Sequence, residues 1–231
     1  MHLLKMSTIR FKLENIDFIS QNFDSIDDLI SNQSHNYDQG NNPKIKSIPM
    51  LLRRRLDTSD RFSVALGLNE INKISDHSKI AKIIYASRIG ETIKCLSMLK
   101  SILNNEQLSP TDFSGSVQNA NVGILSIASK FNGETSAIAA ADSTFKSALI
   151  EAYITLKHLN NPEAKVIVVC YEGSLKNDLM EIDDPFDGPY ALSMVLSLND
   201  DQNLNNLVIH DDDLEESTAL KFATNYQAFL K

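Results

Sequence analysis

One strand-to-helix unit, residues 135–159, TSAIAAADSTFKSALIEAYITLKHL, decides the fold that this sequence predicts. Its first seven residues, 135–141, are mostly small and predict a strand, and Asp142, Ser143 and Thr144 predict a tight turn. Apolar residues at gaps of three and four then predict a helix with one side against a core. That apolar stripe consists of Phe145, Ala148, Leu149, Ala152, Leu156 and Leu159.

The turn is the place where a catalytic group is expected. Many α/β enzymes present a nucleophile where a strand feeds a helix, because the first backbone N–H groups of the helix are free. Here the turn carries Asp142 instead of a cysteine or serine nucleophile, and His158 is too far along the same helix to activate Ser143 or Thr144. An aspartate at a helix start is a preferred N-cap, and its charge suits the positive end of the helix. We therefore interpret Asp142 as a cap.

Short apolar runs on both sides of this unit predict the strands of a central sheet. Residues 82–87, 165–172 and 190–198 lack polar alternation and are typical of strands buried on both faces. Residues 7–20 alternate between apolar and polar side chains, which indicates a strand with one dry face, and residues 207–209 predict a short strand. The prediction is a mixed sheet with helices on both faces.

The helical segments alternate with these strands. Residues 57–73, 92–103, 122–128 and 213–230 have helical periodicity, and Pro110 follows a serine as at a helix start. The last of these segments opens with Asp213 and, three residues later, Glu216, a pattern typical of a capping box. The helix 92–103 is expected to turn its apolar stripe inward, and that stripe consists of Ile93, Leu96, Leu99, Ile102 and Leu103.

Composition restricts the class of protein. The chain has 231 residues, 42% of them hydrophobic and 23% charged, with a net charge of −8. We expect one globular domain, residues 1–231, with a mobile Asn-rich surface loop at residues 31–43. The acidic balance argues against binding nucleic acid or anionic membranes, and the arginine run at 53–55 is too short to reverse this. No segment is long enough to span a membrane, and the first six residues do not resemble a signal peptide.

Motifs for cofactors and metals are absent from the sequence. It has no glycine-rich phosphate loop and no G-x-S-x-G, and its five histidines lack zinc-site spacing. Cys95 and Cys170 stand in apolar patterns and far apart, so we interpret both as small core residues without a disulfide. We expect no cofactor, no metal and a cytoplasmic location.

Five segments resemble the ketosynthase-like N-terminal-domain family, and most closely the chain length factor subunits of aryl polyene biosynthesis. The segments are IPMLLRRRL (48–56), IIYASRIGE (83–91), SPTDFSGSVQNANVGILSI (109–127), AAADSTFKSALIEA (139–152) and DDPFDGPYALSMVLSL (183–198). They follow the family's order and cover roughly residues 45 to 200. The resemblance implies one half of a duplicated thiolase-like fold.

The resemblance also implies an inactive site. In active ketosynthases the turn after the small-residue strand carries the acylated cysteine, and in this sequence Asp142 occupies that position. The two catalytic histidines of active ketosynthases come from the second half of the fold and have no counterpart here. A carboxylate cannot form the acyl-thioester, so the resemblance implies a non-catalytic subunit.

The partner that the resemblance implies is an active beta-ketoacyl synthase. The expected partner-facing segment is the small-residue strand, Thr135, Ser136, Ala137, Ile138, Ala139, Ala140 and Ala141. The expected walls of the shared acyl tunnel are Phe113, Ser114, Gln118, Asn119 and Phe145, although both phenylalanines are equally well explained as core residues. An acyl carrier protein would interact only indirectly, through the ketosynthase.

Two other functions remain open at this point. The chain could be half of a split acyltransferase, with residual chemistry at Asp142 or Ser143. It could also be a free-standing domain that binds a small molecule.

Overall fold

A computed structural model describes residues 8–34, 42–173, 188–198, 206–210 and 219–230. Its strands are β1 (Thr8–Ser20), β2 (Ile80–Ala86), β3 (Glu134–Ile138), β4 (Lys165–Glu172), β5 (Tyr190–Ser197) and β6 (Asn206–His210). Its α-helices are α1 (Ile26–Ser31), α2 (Pro43–Lys46), α3 (Met50–Arg53), α4 (Thr58–Lys73), α5 (Thr92–Leu103), α6 (Pro110–Gly115), α7 (Ala120–Ser129), α8 (Thr144–Leu159) and α9 (Ala219–Asn225). Short 3₁₀ turns lie at His77–Lys79, Ala141–Ser143 and Tyr226–Phe229.

The described strands form one sheet in the order β3-β2-β4-β5-β1-β6. β2 runs parallel to β3 and to β4, whereas the β4–β5, β5–β1 and β1–β6 pairs are antiparallel. The parallel pairs arise because helical segments return the chain to the same end of the sheet: α5, α6 and α7 connect β2 to β3, and α8 connects β3 to β4. The predicted mixed sheet is confirmed, and β3 lies at its edge.

Helices cover both faces of the sheet, as predicted. On one face α8 buries Phe145, Ala148, Leu149, Ala152 and Leu156 against a core that also includes apolar residues of α1 and α9. The last residue of the predicted stripe, Leu159, is exposed at the end of the helix, so the prediction is wrong for that residue. On the other face α4 and α7 pack over a second core. The central strands β4 and β5 are buried along almost their whole length because both faces are covered.

Local sequence signals explain where several helices begin. Asp57 caps α4 and forms a capping box with Asp60, and Ser109 caps α6 with Pro110 at its first position. The predicted helices 57–73, 92–103 and 122–128 are confirmed as α4, α5 and the centre of α7. The helix start predicted at Pro110 is confirmed as the first residue of α6. The loop residues 35–41, the acidic segment 211–218 that includes the predicted capping box, and residues 174–187 of the resemblance lie outside the described residues.

The predicted strand 135–141 is wrong at its carboxyl end. β3 stops at Ile138 because its one described neighbour, β2, ends at Ala86, which is opposite Ile138 in the parallel register. Without a strand to pair with, the chain leaves the sheet at Ala139 and turns through Ala141–Ser143 into α8.

The predicted inward stripe of α5 is also wrong. No residue of α5 is buried, and Leu99, Ile102 and Leu103 are 54%, 53% and 81% exposed. The remaining residues of the predicted stripe, Ile93 and Leu96, are half-buried, so the described chain covers the apolar side of α5 only in part.

Candidate functional site

The strand-to-helix turn borders a small recess at the carboxyl ends of β2 and β4. Arg88, Asp142, Thr144, Phe145 and Cys170 are among its lining residues. The cavity volume is about 20 Å³, which is roughly the space needed by one water molecule. The recess therefore has no room for an acyl chain within this chain alone.

Thr144 holds the turn together, and Asp142 does not. The Thr144 hydroxyl accepts a hydrogen bond from the Ala140 N–H at 2.8 Å and donates one to the Ala141 carbonyl at 2.7 Å. Ala141 between them has a φ of 48°, in the left-handed region, which costs a residue with a Cβ about 1 kcal/mol. The strained position of the turn is thus Ala141.

The prediction that Asp142 caps α8 is wrong. The N-cap position belongs to Ser143, and no side chain there accepts a hydrogen bond from the helix. Because Asp142 lies inside the 3₁₀ turn that precedes α8, its side chain points outward and is 91% exposed. Its closest described charge is the guanidinium of Arg88, with Nη1 at 3.7 Å from Oδ1.

Glu172 fixes the loop that follows β2. This buried carboxylate accepts hydrogen bonds from the Ser87 hydroxyl at 3.1 Å and the Arg88 N–H at 2.5 Å. Ser87 in turn accepts from the Gly90 N–H at 2.8 Å. Gly90 has a φ of 52°, in the left-handed region that favours glycine, and a Cβ built there would lie 2.1 Å from Oε1 of Gln118, so that side chain would have to move.

Cys170 places a thiol in the recess, but its environment keeps the thiol protonated. The residue is buried at the end of β4, as predicted. Burial, and after it the negative charge of Glu172, raise the pKa of the Cys170 thiol far above its ordinary value. A protonated thiol is a poor nucleophile. Cys95, the other predicted core cysteine, is only half-buried, and its thiol contacts the Ser116 carbonyl at 3.7 Å.

The residues expected to face a partner divide into two groups. Thr135, Ser136, Ala137 and Ile138 lie in β3, whose outer edge has no described strand beside it. Ala139, Ala140 and Ala141 belong to the turn. Their contact with a partner stays a prediction.

The residues expected to line a tunnel lie in three places. Phe113, 65% exposed, is on α6, as is Ser114, whose hydroxyl accepts a hydrogen bond from Arg55 at 3.3 Å. Gln118 donates to the Ile138 carbonyl at 3.5 Å, and Asn119 begins α7. Phe145 is buried with its ring 5.1 Å from that of Phe222, so it is a core residue that also lines the recess.

The sequence did not reveal a largely buried cluster of charged and polar residues, which we call the carboxylate–lysine cluster. It comprises Asp57, Asp60, Glu91, Lys94, Asn121 and Tyr171. Five of its members come from three helices, α4, α5 and α7 with their caps, and Tyr171 comes from β4. One local signal was present: Glu91 and Lys94 are three residues apart at a helix start, the spacing of an ion pair.

The three carboxylates of this cluster are close enough together to hold a metal ion. The ammonium of Lys94 lies among them, 2.6 Å from Glu91 and 3.6 Å from Asp57, and it also bonds Asp60. The lysine thus supplies the positive charge that a metal would otherwise bring.

Within the described residues, no helix is both long and apolar enough to cross a membrane.

Solved structures with the same fold include ketosynthases and their complexes. A structure of "Ketosynthase (ApeO) in Complex with its Chain Length Factor (ApeC) from Xenorhabdus doucetiae" matches with 25% identity and a TM-score of 0.68, covering 83% of this chain and 80% of that chain. The "ishigamide ketosynthase/chain length factor" matches with 10% identity and a TM-score of 0.63, covering 87% and 64%. A beta-ketoacyl synthase from Burkholderia phymatum STM815 matches with 11% identity and a TM-score of 0.57, covering 84% and 60%.

The last two structures show the fold alone, and this chain spans less than two thirds of each matched chain. A search of curated proteins finds no match. The predicted thiolase-like arrangement, a mixed sheet between two helical layers, is confirmed. Residues 30–229 match the family described as "Beta-ketoacyl synthase, N-terminal domain", and the chain therefore belongs to that family.

Proposed function

We propose that this chain is a non-catalytic chain length factor. It forms a heterodimer with an active beta-ketoacyl synthase in the cytoplasm and shapes the partner's acyl tunnel in aryl polyene biosynthesis, a polyketide- and fatty-acid-like process. The observation that carries the proposal is the likeness to the ApeO–ApeC complex. That alignment covers similar shares of both chains, 83% and 80%, so the matched chain is nearly as short as this one.

The chemistry of the recess supports a non-catalytic role. Claisen condensation needs a thiolate near neutral pH and polar donors for the developing enolate. Asp142 points to solvent, and Cys170 is kept protonated by its surroundings. The described residues that line the recess include no histidine that could act as a base or donor.

The surface beside the recess supports a protein partner. β3 has an open edge among the described strands, and an unpaired edge is a template for a strand from another chain. On α5, Leu99, Ile102 and Leu103 are exposed at helical spacing and form one apolar side of that helix. We call these three residues the α5 apolar side. Exposed apolar surface of this kind is typical of a protein interface.

Activity assays test the absence of catalysis. The purified chain is incubated with acyl carrier protein substrates, first alone and then together with a ketosynthase. We expect no condensation by the chain alone, either as wild type or as Asp142→Cys, because a thiolate alone lacks the donors that stabilise the transition state. Acyl-enzyme turnover by the isolated chain, lost in Asp142→Ala or Ser143→Ala, would instead identify a split acyltransferase.

Substitutions in the small-residue strand test the interface. Ala139→Asp introduces a charge at the expected seam, and Ile138→Pro distorts the end of β3. We expect both variants to lose the heterodimer in size-exclusion chromatography while the free chain keeps its circular dichroism spectrum. A folded variant that still elutes as the full heterodimer would place the interface elsewhere.

Product length tests the effect on the tunnel. Co-expression of the ketosynthase with Phe113→Ala or Ser114→Phe should change the polyene length measured by mass spectrometry, because a tunnel cannot absorb an added or removed ring without repacking. Phe145→Ala needs a stability measurement beside it, since that ring is part of the core. If all three variants form the complex and the length stays constant, the chain is a stabilising scaffold.

A further inference from the structure

The attachment of α5 to the rest of the chain is unusually polar. None of its residues is buried, so its apolar contacts with the body are only partial. The ion pair between Glu91 and Lys94 at its first turn is more deeply buried than the exposed leucines at its end. Glu91, which precedes the helix, is 6% exposed, and the Lys94 side chain is 18% exposed. The carboxylate–lysine cluster therefore contains the most deeply buried contacts that hold this helix.

The cluster has more negative than positive charge. Asp60 and Glu91 are buried and share the ammonium of Lys94, which also reaches the exposed carboxylate of Asp57. Full ionisation therefore leaves an excess of two negative charges in the cluster, one of them in its buried part. Asn121 donates to Asp60 at 2.7 Å and to Glu91 at 3.1 Å. Its own Oδ1 is buried and has no hydrogen-bond partner among the described residues, so the network is incomplete as it stands.

The groups packed around Glu91 influence the pKa of its carboxyl. Burial, followed by the charge of Asp60, raises the pKa of Glu91 to about 7, and burial also raises the pKa of Asp60. Burial opposes ionisation of Lys94, but the charges of Asp60 and Asp57 outweigh it and raise the pKa of the ammonium, so it stays charged.

Two tyrosines also lie near the carboxyl groups of Glu91 and Asp60. Tyr171 on β4 donates to Glu91 at 3.2 Å, and Tyr85 on β2 lies behind Asp60. Burial raises the pKa of both phenols well above the ordinary value, so both stay neutral. Near neutral pH, Glu91 is consequently the member of the cluster that exchanges a proton.

We propose that a proton bound by the buried carboxyl of Glu91 locks α5 onto the body of the domain, and that its loss above neutral pH lets α5 open locally while the sheet stays folded. This device does not depend on the proposed function, because it concerns the free chain. When α5 opens, Glu91 reaches water and returns toward its ordinary pKa of 4.5. Between that value and about 7 the closed state binds more protons than the open state, so closing is favoured less as the pH rises.

Hydrogen exchange of the free, full-length chain measures this opening. The amides from Cys95 to Leu103, which have partners within the helix, report on α5, and protection factors remove the intrinsic pH dependence of exchange. We expect protection of these amides to fall about 100-fold in total between pH 5 and pH 7.5, and to level off above pH 8. Amides of β4 should show no matching fall.

Two variants identify the responsible group. Glu91→Gln mimics the protonated carboxyl permanently, so its α5 protection should stay at the high wild-type level across the range. Asp57→Asn keeps a capping residue for α4 but removes a neighbouring negative charge, so it should shift the midpoint of the fall to lower pH.

Glu70→Gln is the matched control. Glu70 is also buried with a pKa raised by burial, but it contacts Asn15, Ser193 and Lys73, none of which belongs to α5. It should leave the pH dependence of α5 unchanged. Constant wild-type protection of α5 between pH 5 and pH 7.5, or an equal change in Glu91→Gln and Glu70→Gln, would overturn the proposal, since the latter result means that α5 exchanges by global unfolding.

Discussion

α5 and α8 carry similar sequence patterns and have opposite environments. Both follow a strand of the parallel part of the sheet, and both place apolar residues at gaps of three and four. α8 buries its stripe, except for Leu159, against β2 and β4, whereas α5 leaves Leu99, Ile102 and Leu103 exposed. Periodicity reports that a helix has an apolar side, but it does not report which chain covers that side.

The largest expected effect is on the stability of the α8 core. Leu149→Ala removes a fully buried side chain, and the cavity should lower the free energy of unfolding by about 2–5 kcal/mol. Leu103→Ala, the matched truncation on α5, should change it by no more than about 0.5 kcal/mol because the side chain is already in water. Urea unfolding followed by circular dichroism compares the two. A cost for Leu103→Ala as large as that for Leu149→Ala would show that α5 is a core helix.

The next effect concerns partner binding. Ile102 on α5 and Ile154 on α8 are both 53% exposed, so they form a matched pair of surface isoleucines. Ile102→Asp should weaken binding to the ketosynthase about 30-fold, because a charge would be buried at the interface. Ile154→Asp, the control on α8, should leave the affinity unchanged in isothermal titration calorimetry. Equal losses in both variants would remove the α5 apolar side from the proposed interface.

A third prediction compares the two cysteines. Cys95 on α5 is half-buried, and Cys170 beneath α8 is buried with its thiol pKa raised by burial. At pH 8, iodoacetamide should label Cys95 on the native chain while Cys170 stays unlabelled until urea is added. Peptide mass spectrometry identifies the labelled site. Early labelling of Cys170 would mean that the recess opens readily to solvent.

The smallest effects distinguish a true helix cap from a residue that only stands near a helix start. Ser25→Ala removes a side chain that accepts from the Asp28 N–H at 3.1 Å and should cost about 1 kcal/mol. Asp142→Ala removes an exposed side chain that caps nothing. The free energy of unfolding, measured by thermal denaturation, should therefore change by less than about 0.5 kcal/mol. A larger loss for Asp142→Ala would restore the capping role that the sequence predicted.

The central strands β2, β4 and β5 were predictable because they are short apolar runs separated by segments of helical periodicity. Such runs are typical of strands that are buried on both faces. The end of β3 was not predictable, since it depends on where β2 stops, about 50 residues earlier in the chain. The capping role predicted for Asp142 rested on a general preference for aspartate at helix starts. It was wrong because a 3₁₀ turn precedes α8 and places Asp142 before the N-cap position. The carboxylate–lysine cluster joins Asp60 to Asn121 across 61 positions, a distance that local patterns do not reach.

The shortness of β3 limits what its edge can do for a complex. In a strand of five residues only every second one turns its N–H and C=O outward, so about two or three residues remain for a neighbouring strand. At roughly 0.5–1.5 kcal/mol net for each hydrogen bond, such a ladder is too weak to hold two proteins together by itself. It is well suited to aligning them, because a slip of one residue would place every side chain on the wrong face. In a heterodimer built on this edge, β3 would thus fix the register of the two chains. The discrimination between a correct and an incorrect partner would come from the helices beside it.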